Sequence, residues 1–264
     1  MAKIPVLTIA GSDPSGGAGI QADLKAFSAN GVFGMSVITS ITAQNTCGVS
    51  SVFHLPLDII ETQLDAIFSD IPVTTVKTGM LATPSIITTV SHKLAMQTIE
   101  HLVVDPVMIA KGGHALLEEE SIAFLKSQLC PQAFLLTPNI YEAQELSGIT
   151  IHTIADARAA AKIIHRLGCR HVLIKGGHLQ EQPGTDLLYD GRFFRMYKGE
   201  YIQTQHTHGT GCTFASAISA HLAKGKTIAD AIEAAKSYTT EAIRHSFPLG
   251  KGHGPTDHFY FLPT

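Results

Sequence analysis

Cysteine is scarce in this chain: four residues in 264, at 47, 130, 169 and 212, with no CxxC pair. Scattered singly in a chain of this size, they build neither a disulfide framework nor a structural zinc site. The fourteen histidines show no HExxH or comparable ligand spacing. Charge is sparse as well. Charged residues make up 16% and the formal net charge is -3, so no basic stripe awaits a nucleic acid. No apolar run reaches the roughly 18 residues of a membrane helix. The opening MAKIPVLTIAGSD lacks the regions of a signal peptide. The chain therefore reads as soluble and cytoplasmic. What it has in quantity is apolar material, 45% of residues, enough for a sizeable core. With no repeat, low-complexity block or linker, the expectation is a single domain over 1–264.

Short apolar runs suited to strands alternate with longer helical patterns. Strands are expected at 4–10, 35–43, 74–79, 101–106, 134–138 and 171–177. Helices are expected at 15–31, 57–70, 84–97, 117–129, 139–148, 156–168, 211–224 and 227–245. Fully apolar strands separated by helices predict an α/β fold with a mostly parallel sheet and helices on both faces. The piece 185–205 differs. Its Asp-Gly turn at 190–191 predicts a small antiparallel hairpin or meander at the sheet edge.

In open α/β sheets, ligands bind beyond the carboxyl ends of the strands. Polar residues and glycines gather at six such ends here: 11–19 after the first strand, Gln44 and Asn45 after the second, Gly79 and Met80 after the third, Asp105 and Pro106 after the fourth, 137–139 with Glu142 after the fifth, and 175–178 after the sixth. The loop GSDPSGGAG (11–19) is neither a Walker loop nor a GxGxxG dinucleotide fingerprint. By itself it reads better as a tight turn than as a ligand loop. Asp23, in the helix that follows, is either an exposed carboxylate or one facing the cleft.

The stretch HTHGTGCTF (206–214) is the stronger anion candidate. Successive glycines before a helix expose backbone N–H groups, and the helix dipole adds positive potential. Such a cradle suits the charge developing on a phosphoryl group in transfer. The same field is expected to lower the pKa of Cys212, leaving a thiolate able to act as a base or anion-stabilising group. The alternative is a small residue used for close packing. Asp105 and Glu142 could hold a hard cation, and Lys175 and Lys236 could meet phosphate charge. Each alone is equally a capping carboxylate or a solvated lysine. Together with an anion cradle they describe phosphoryl transfer.

GTGC (209–212) occupies the place of the Gly-Ala-Gly-Asp anion hole of the ribokinase superfamily, with Cys212 standing for the aspartate. Together with AGSDPSGGAGIQADLKAF (10–27), TAQNT (42–46), KTGM (77–80), DPVM (105–108) and TPNIYEA (137–143), it closely resembles the hydroxymethylpyrimidine/phosphomethylpyrimidine kinases of thiamine biosynthesis over essentially the whole chain. The resemblance implies a ribokinase-like three-layer sandwich that phosphorylates a hydroxymethylpyrimidine and then its monophosphate, using ATP and Mg2+. It implies a catalytic anion hole of Gly209, Thr210, Gly211 and Cys212. The pyrimidine pocket would comprise Gly11, Asp23, Thr42, Gln44, Met80, Val107 and Cys212. Asp105 and Glu142 would stand near the metal, and Asn139, Lys175 and Lys236 near the phosphates. Residues 108–116, with Lys111, match a flap over the substrate. A homodimer is implied too.

Pyridoxal kinases of the same superfamily are the competing reading. They typically place a second cysteine in the flap, where this chain has Ala110, and lack AQNT in this form. A vitamin-precursor carrier without turnover would not need Asp105, Glu142 and Lys175 beside an anion hole. A redox role for Cys212 lacks a nearby resolving cysteine.

Overall fold

The computed structural model describes residues 3–109, 116–177 and 181–263. Strands run at Pro5–Ser12 (β1), Phe33–Asn45 (β2), Gly48–His54 (β3), Thr75–Thr78 (β4), His101–Val104 (β5), Leu135–Leu136 (β6), His171–Ile174 (β7), Thr185–Tyr189 (β8) and Phe194–Lys198 (β9). They form one sheet in the order β3-β2-β1-β4-β5-β6-β7-β8-β9. The six central strands are parallel. The β8–β9 meander closes one edge antiparallel, as its Asp-Gly turn predicts. The opposite edge is a correction. Residues 48–54 form β3 in an antiparallel hairpin with β2. The expected strand at 35–43 thereby lengthens, so Gln44 and Asn45 lie inside it, where Gln44 pairs with Val49 and Asn45 with Gly48.

The helices are Gly19–Ala29 (α1), Leu57–Phe68 (α2), Pro84–Ala95 (α3), Ser121–Phe124 (α4), Ile140–Ser147 (α5), Ile154–His165 (α6), Thr210–Ala223 (α7) and Ile228–Arg244 (α8). Two starts are later than the sequence pattern suggests, at Gly19 and Ser121. α4 passes into a π turn over Leu125–Leu129 and a short 3-10 turn over Cys130–Gln132. Among the described residues no helix is long and apolar enough to cross a membrane.

Alternate strand residues feed two cores, as a period of two requires. Leu7, Ile9, Val104, Leu136 and Ile174 pack with Ile60 of α2, Ile86 of α3, Ala143 of α5 and Ala160 of α6. Val103, Leu135 and Leu173 face the other way, onto Ile218 of α7 and Ile232 of α8. Val6 meets Phe27 of α1 and Ala220 of α7. The result is three layers, helix–sheet–helix. α7 is buried without a break from Thr213 to Leu222, which is why its sequence is built from small and apolar residues. The order reverses between β1 and β4, because the chain runs from β1 outward to β2 and β3 and returns to β4 on β1's other side. That switch point opens a crevice at the carboxyl ends of the strands.

Candidate active site

A cleft of about 790 Å3 occupies this crevice. Its centre is the start of α7. Thr83, Asn139, Thr153 and Thr227 cap α3, α5, α6 and α8 with their side chains. α7 has no side-chain cap, and Gly209 leads into it in the left-handed region at φ 77. A Cβ on Gly209 would collide with the Gly17 carbonyl, so only glycine fits. The Thr210 N–H is spent on the Thr207 carbonyl at 3.3 Å, and Thr213 resumes the helical pattern on Gly209 at 2.9 Å. The N–H groups of Gly211 and Cys212 have no protein acceptor among the described residues. They form an anion cradle reinforced by the helix dipole.

Cys212 lies at the meeting of two such ends, since α1 also lacks a side-chain cap and the Gly19 N–H reaches the thiol. The expected lowering of its pKa is overturned. Part of its surface opens on the cleft, but protein surrounds it on most sides and burial dominates. Lys77 pulls the other way, Asp23 and Asp105 add to burial, and the thiol is pushed up to about 11. At neutral pH Cys212 carries its proton.

Below the cradle lies a charged floor. Lys77 on β4 alternates with Val76 and so faces α1 and α7. Its ammonium donates to both oxygens of Asp23 at 2.9 Å, and both side chains are fully buried. Thr8 on β1 and Ser216 on α7 donate to the same carboxylate at 2.6 and 2.7 Å. Burial opposes the charge on Lys77, but Asp23, Cys212 and Asp105 outweigh it and keep the ammonium protonated. Gly79 makes the room: a Cβ there would stand 2.9 Å from Lys77 Nζ.

Toward β5 to β7 the wall carries the second charged group. Lys175 Nζ donates to Asp105 Oδ1 at 2.6 Å, and Thr137 donates to the same oxygen at 3.2 Å. A Cβ on Gly211 would come within 3.7 Å of Asp105 Oδ2, so this pair abuts the cradle. Burial acts against the charge of Lys175, but Asp105 and Glu142 hold its pKa up. Glu142 and Asn139 form a capping box at α5: Glu142 Oε2 accepts from the Asn139 N–H at 2.8 Å, and Asn139 Oδ1 from the Glu142 N–H at 2.9 Å. Burial pushes the Glu142 carboxyl up to about 7, with Lys175 opposing and Asp105 adding. Further out, Lys236 donates to Asp186 Oδ2 at 2.6 Å and to the Gly184 carbonyl at 2.7 Å.

Of the residues expected in the site, Gly11, Thr42, Gln44, Met80, Val107, Asp105, Asn139, Glu142, Lys175, Gly209, Thr210, Gly211, Cys212 and Lys236 all line this one cleft. Asp23 is the correction. It is fully buried, all its bonds go to protein, and it supports the cleft from behind. Lys111 and Ala110 lie outside the described residues, as does most of the expected flap; of it, Ile109 and Leu116 line the cleft. Sequence reasoning passed over Lys77, although a lysine inside an otherwise buried strand was its signal. It also passed over Asp13, His208, and an outer slot of Tyr201, Ile202, Thr239, Thr240 and Ile243. No spacing marks that slot, because it joins the β9–α7 connection to α8.

The family described as phosphomethylpyrimidine kinase matches residues 13–257. The chain is 48% identical over 262 residues to a hydroxymethylpyrimidine/phosphomethylpyrimidine kinase of Bacillus subtilis, covering 99% of this chain and 97% of that one. It is 51% identical over 253 residues to the thiamine biosynthesis bifunctional protein ThiED of Geobacter sulfurreducens, covering 96% of this chain and 52% of that longer one. Among solved structures, a Bacillus subtilis pyridoxal kinase in an ADP complex superposes with a TM-score of 0.92 at 43% identity, covering 98% of this chain and 99% of that one. Its likeness extends the match to the whole sheet and confirms the ribokinase-like sandwich. Cradle, floor and sequence lead to one assignment: the chain belongs to the phosphomethylpyrimidine kinase family.

Proposed function

We propose that the chain, acting as one kinase domain over 1–264, transfers the γ-phosphoryl group of ATP to the hydroxymethyl group of 4-amino-5-hydroxymethyl-2-methylpyrimidine. It then phosphorylates the monophosphate, giving the pyrophosphate used in thiamine biosynthesis. The observation that carries this reading is the uncapped start of α7. It stands between a flat-ring pocket of Gly11, Gln44, Met80 and Val107 and the Asp105–Lys175 wall.

The pyrimidine packs between Met80 and Val107, with Gln44 on its polar edge, and its hydroxymethyl group points at the cradle. The N–H groups of Gly211 and Cys212 take up charge on the transferred phosphoryl oxygens. Lys175 steadies the phosphate chain, Asn139 and Lys236 attend it further out, and the slot at Ile202 and Ile243 receives the base of ATP. Cys212 is protonated at rest, so the base is its ionised form: the thiol first gives its proton to water in the cleft, and the thiolate accepts the hydroxyl proton late, when the bond to phosphorus is nearly made.

Among the described residues no three His, Cys, Asp or Glu side chains converge into a metal cage. Asp105 and Glu142 fit Mg2+ in another way, since this ion commonly takes one or two carboxylates and completes its shell with phosphates and water. When bound, Mg2+ neutralises phosphate charge. A homodimer suits the β3 edge, where Ile41 and Phe53 face each other across the hairpin at 48% and 63% exposure. The cytoplasm suits a user of ATP.

The test is a steady-state comparison of the hydroxymethylpyrimidine and pyridoxal, with ATP, following products by mass. A kcat/KM favouring the pyrimidine, with mono- and then diphosphorylated product, is expected. Preferential turnover of pyridoxal would keep the site and overturn the substrate; turnover of neither would leave a binding protein.

A further inference from the structure

Asp13 and His208 are 195 positions apart and meet beside the pyrimidine half of the cleft, His208 Nε2 standing 2.9 Å from Asp13 Oδ2. The histidine is clamped on every side. Its backbone N–H donates to the Gly254 carbonyl at 3.1 Å, its backbone bridges to Pro255, and a Cβ on Gly17 would run into its ring. Asp13 stays ionised. Burial works against that, but bonds from His208 and Ser15 hold its carboxyl below the usual range. A carboxylate can only accept, so the proton of this bond sits on Nε2.

The same Nε2 lies 3.4 Å from the atom of the Gln44 amide assigned as nitrogen, Nε2. The one proton on the histidine nitrogen points chiefly at Asp13 and can be shared with an amide oxygen in a three-centre bond, and the protonated nitrogen has no lone pair to offer. On the other side, Thr42 Oγ1 lies 3.3 Å from the atom assigned as Gln44 Oε1, but its one proton goes to the nearer Ser12 carbonyl at 2.9 Å. Thr42 therefore offers a lone pair. With nitrogen on His208 and oxygen on Thr42, the amide would set donor against donor and acceptor against acceptor. Both neighbours favour the reverse, oxygen toward His208 and nitrogen toward Thr42.

We propose that His208, oriented by Asp13, is a positioning residue that locks the Gln44 amide in one orientation and so sets which edge of the substrate ring is accepted. The inference rests on the pyrimidine assignment above. An ordered amide matches an amine beside a ring nitrogen, an edge the aminopyrimidine has and pyridoxal lacks. A site built to satisfy such groups discriminates against a ring without them, because its own polar atoms are then left unpaired.

The test compares His208→Leu, which removes the donor, with His208→Gln, which returns an N–H to the same place. In the Leu variant the pyrimidine KM should rise about tenfold and the pyrimidine-to-pyridoxal ratio of kcat/KM fall by a similar factor. The KM for ATP should stay within about twofold. The Gln variant should recover most of the ratio, which a merely structural role would not explain. On the unmodified full chain, long-range NMR of 15N-labelled histidine should find the His208 proton on Nε2. A ratio unmoved in a folded Leu variant, or a proton on Nδ1 alone, would overturn the inference while leaving the substrate assignment standing. Should the Leu variant not fold, the Gln variant and the NMR decide. Absence of pyrimidine turnover by the unmodified protein would overturn the substrate assignment and this inference with it.

Discussion

Two lysine–aspartate pairs flank the same cradle and do different work. Lys77–Asp23 is sealed, with both side chains at 0% exposure, and its carboxylate is saturated by Thr8, Ser216 and both contacts from the ammonium. Lys175–Asp105 lies at the cleft wall, the lysine 14% exposed, and both protein contacts to Asp105 fall on Oδ1. The saturated pair has nothing left to give a ligand, and its influence on the site is electrostatic and mechanical. The open pair keeps Oδ2 and a partly exposed ammonium for phosphate and metal. Burial and the count of bonds already made, rather than residue type, separate a support from a working group.

The largest effect should come from breaking the sealed pair. Lys77→Met strands the Asp23 charge in the core and should cost about 3–5 kcal/mol, lowering Tm by about 6–20 °C in thermal denaturation. Adding Asp23→Leu should recover most of that stability. Full stability with full activity in the double variant would show the floor to be dispensable for chemistry. Lys175→Met should shift the balance: a smaller loss of Tm than Lys77→Met, because water in the cleft can replace the 14%-exposed ammonium beside Asp105, and kcat/KM down by about 10^2–10^3 in the steady-state assay. A large loss of Tm with modest kinetics would erase the contrast between the pairs.

Cys212→Ala leaves the cradle's N–H groups in place and should lower kcat by about 10^2, the lower end for a lost proton acceptor. Alkylation by iodoacetamide should be slow at pH 7 and accelerate toward pH about 11, as the burial-raised thiol ionises. The smallest effect concerns Glu142. Its folded pKa of about 7 lies above its ordinary 4.5, so the folded state holds the proton more tightly. Its contribution to stability is present at low pH and lost as pH rises from about 4.5 to about 7, amounting to about 3 kcal/mol. Urea denaturation of Glu142→Gln should show that slope flattened. Activity in the unmodified chain should rise through pH about 7, the folded-state pKa, as the carboxylate becomes available to a cation.

Local patterns made much of this legible beforehand. The parallel strands show as apolar runs, and each of the six glycine-rich or polar strand ends contributes residues to one crevice, because parallel strands share a carboxyl edge. Four features escaped for distinct reasons. β3 is polar and largely exposed, so GVSSVFH carries no periodicity to mark it. Asp23 looked like a ligand group because its neighbours, Lys77 and Ser216, are 54 and 193 residues away. The Cys212 thiol went the other way in titration because a helix terminus is visible in sequence and the depth of a cleft is not. His208 sat in full view beside Gly209, but its partner Asp13 lies at the far end of the chain.

The most direct test of the account follows 31P NMR of the unmodified protein turning over ATP with the hydroxymethylpyrimidine. A phosphomonoester signal that converts to a diphosphate, with one ADP formed for each phosphate transferred, is the predicted result. ADP accumulating with inorganic phosphate alone, at a rate indifferent to the pyrimidine, would contradict it.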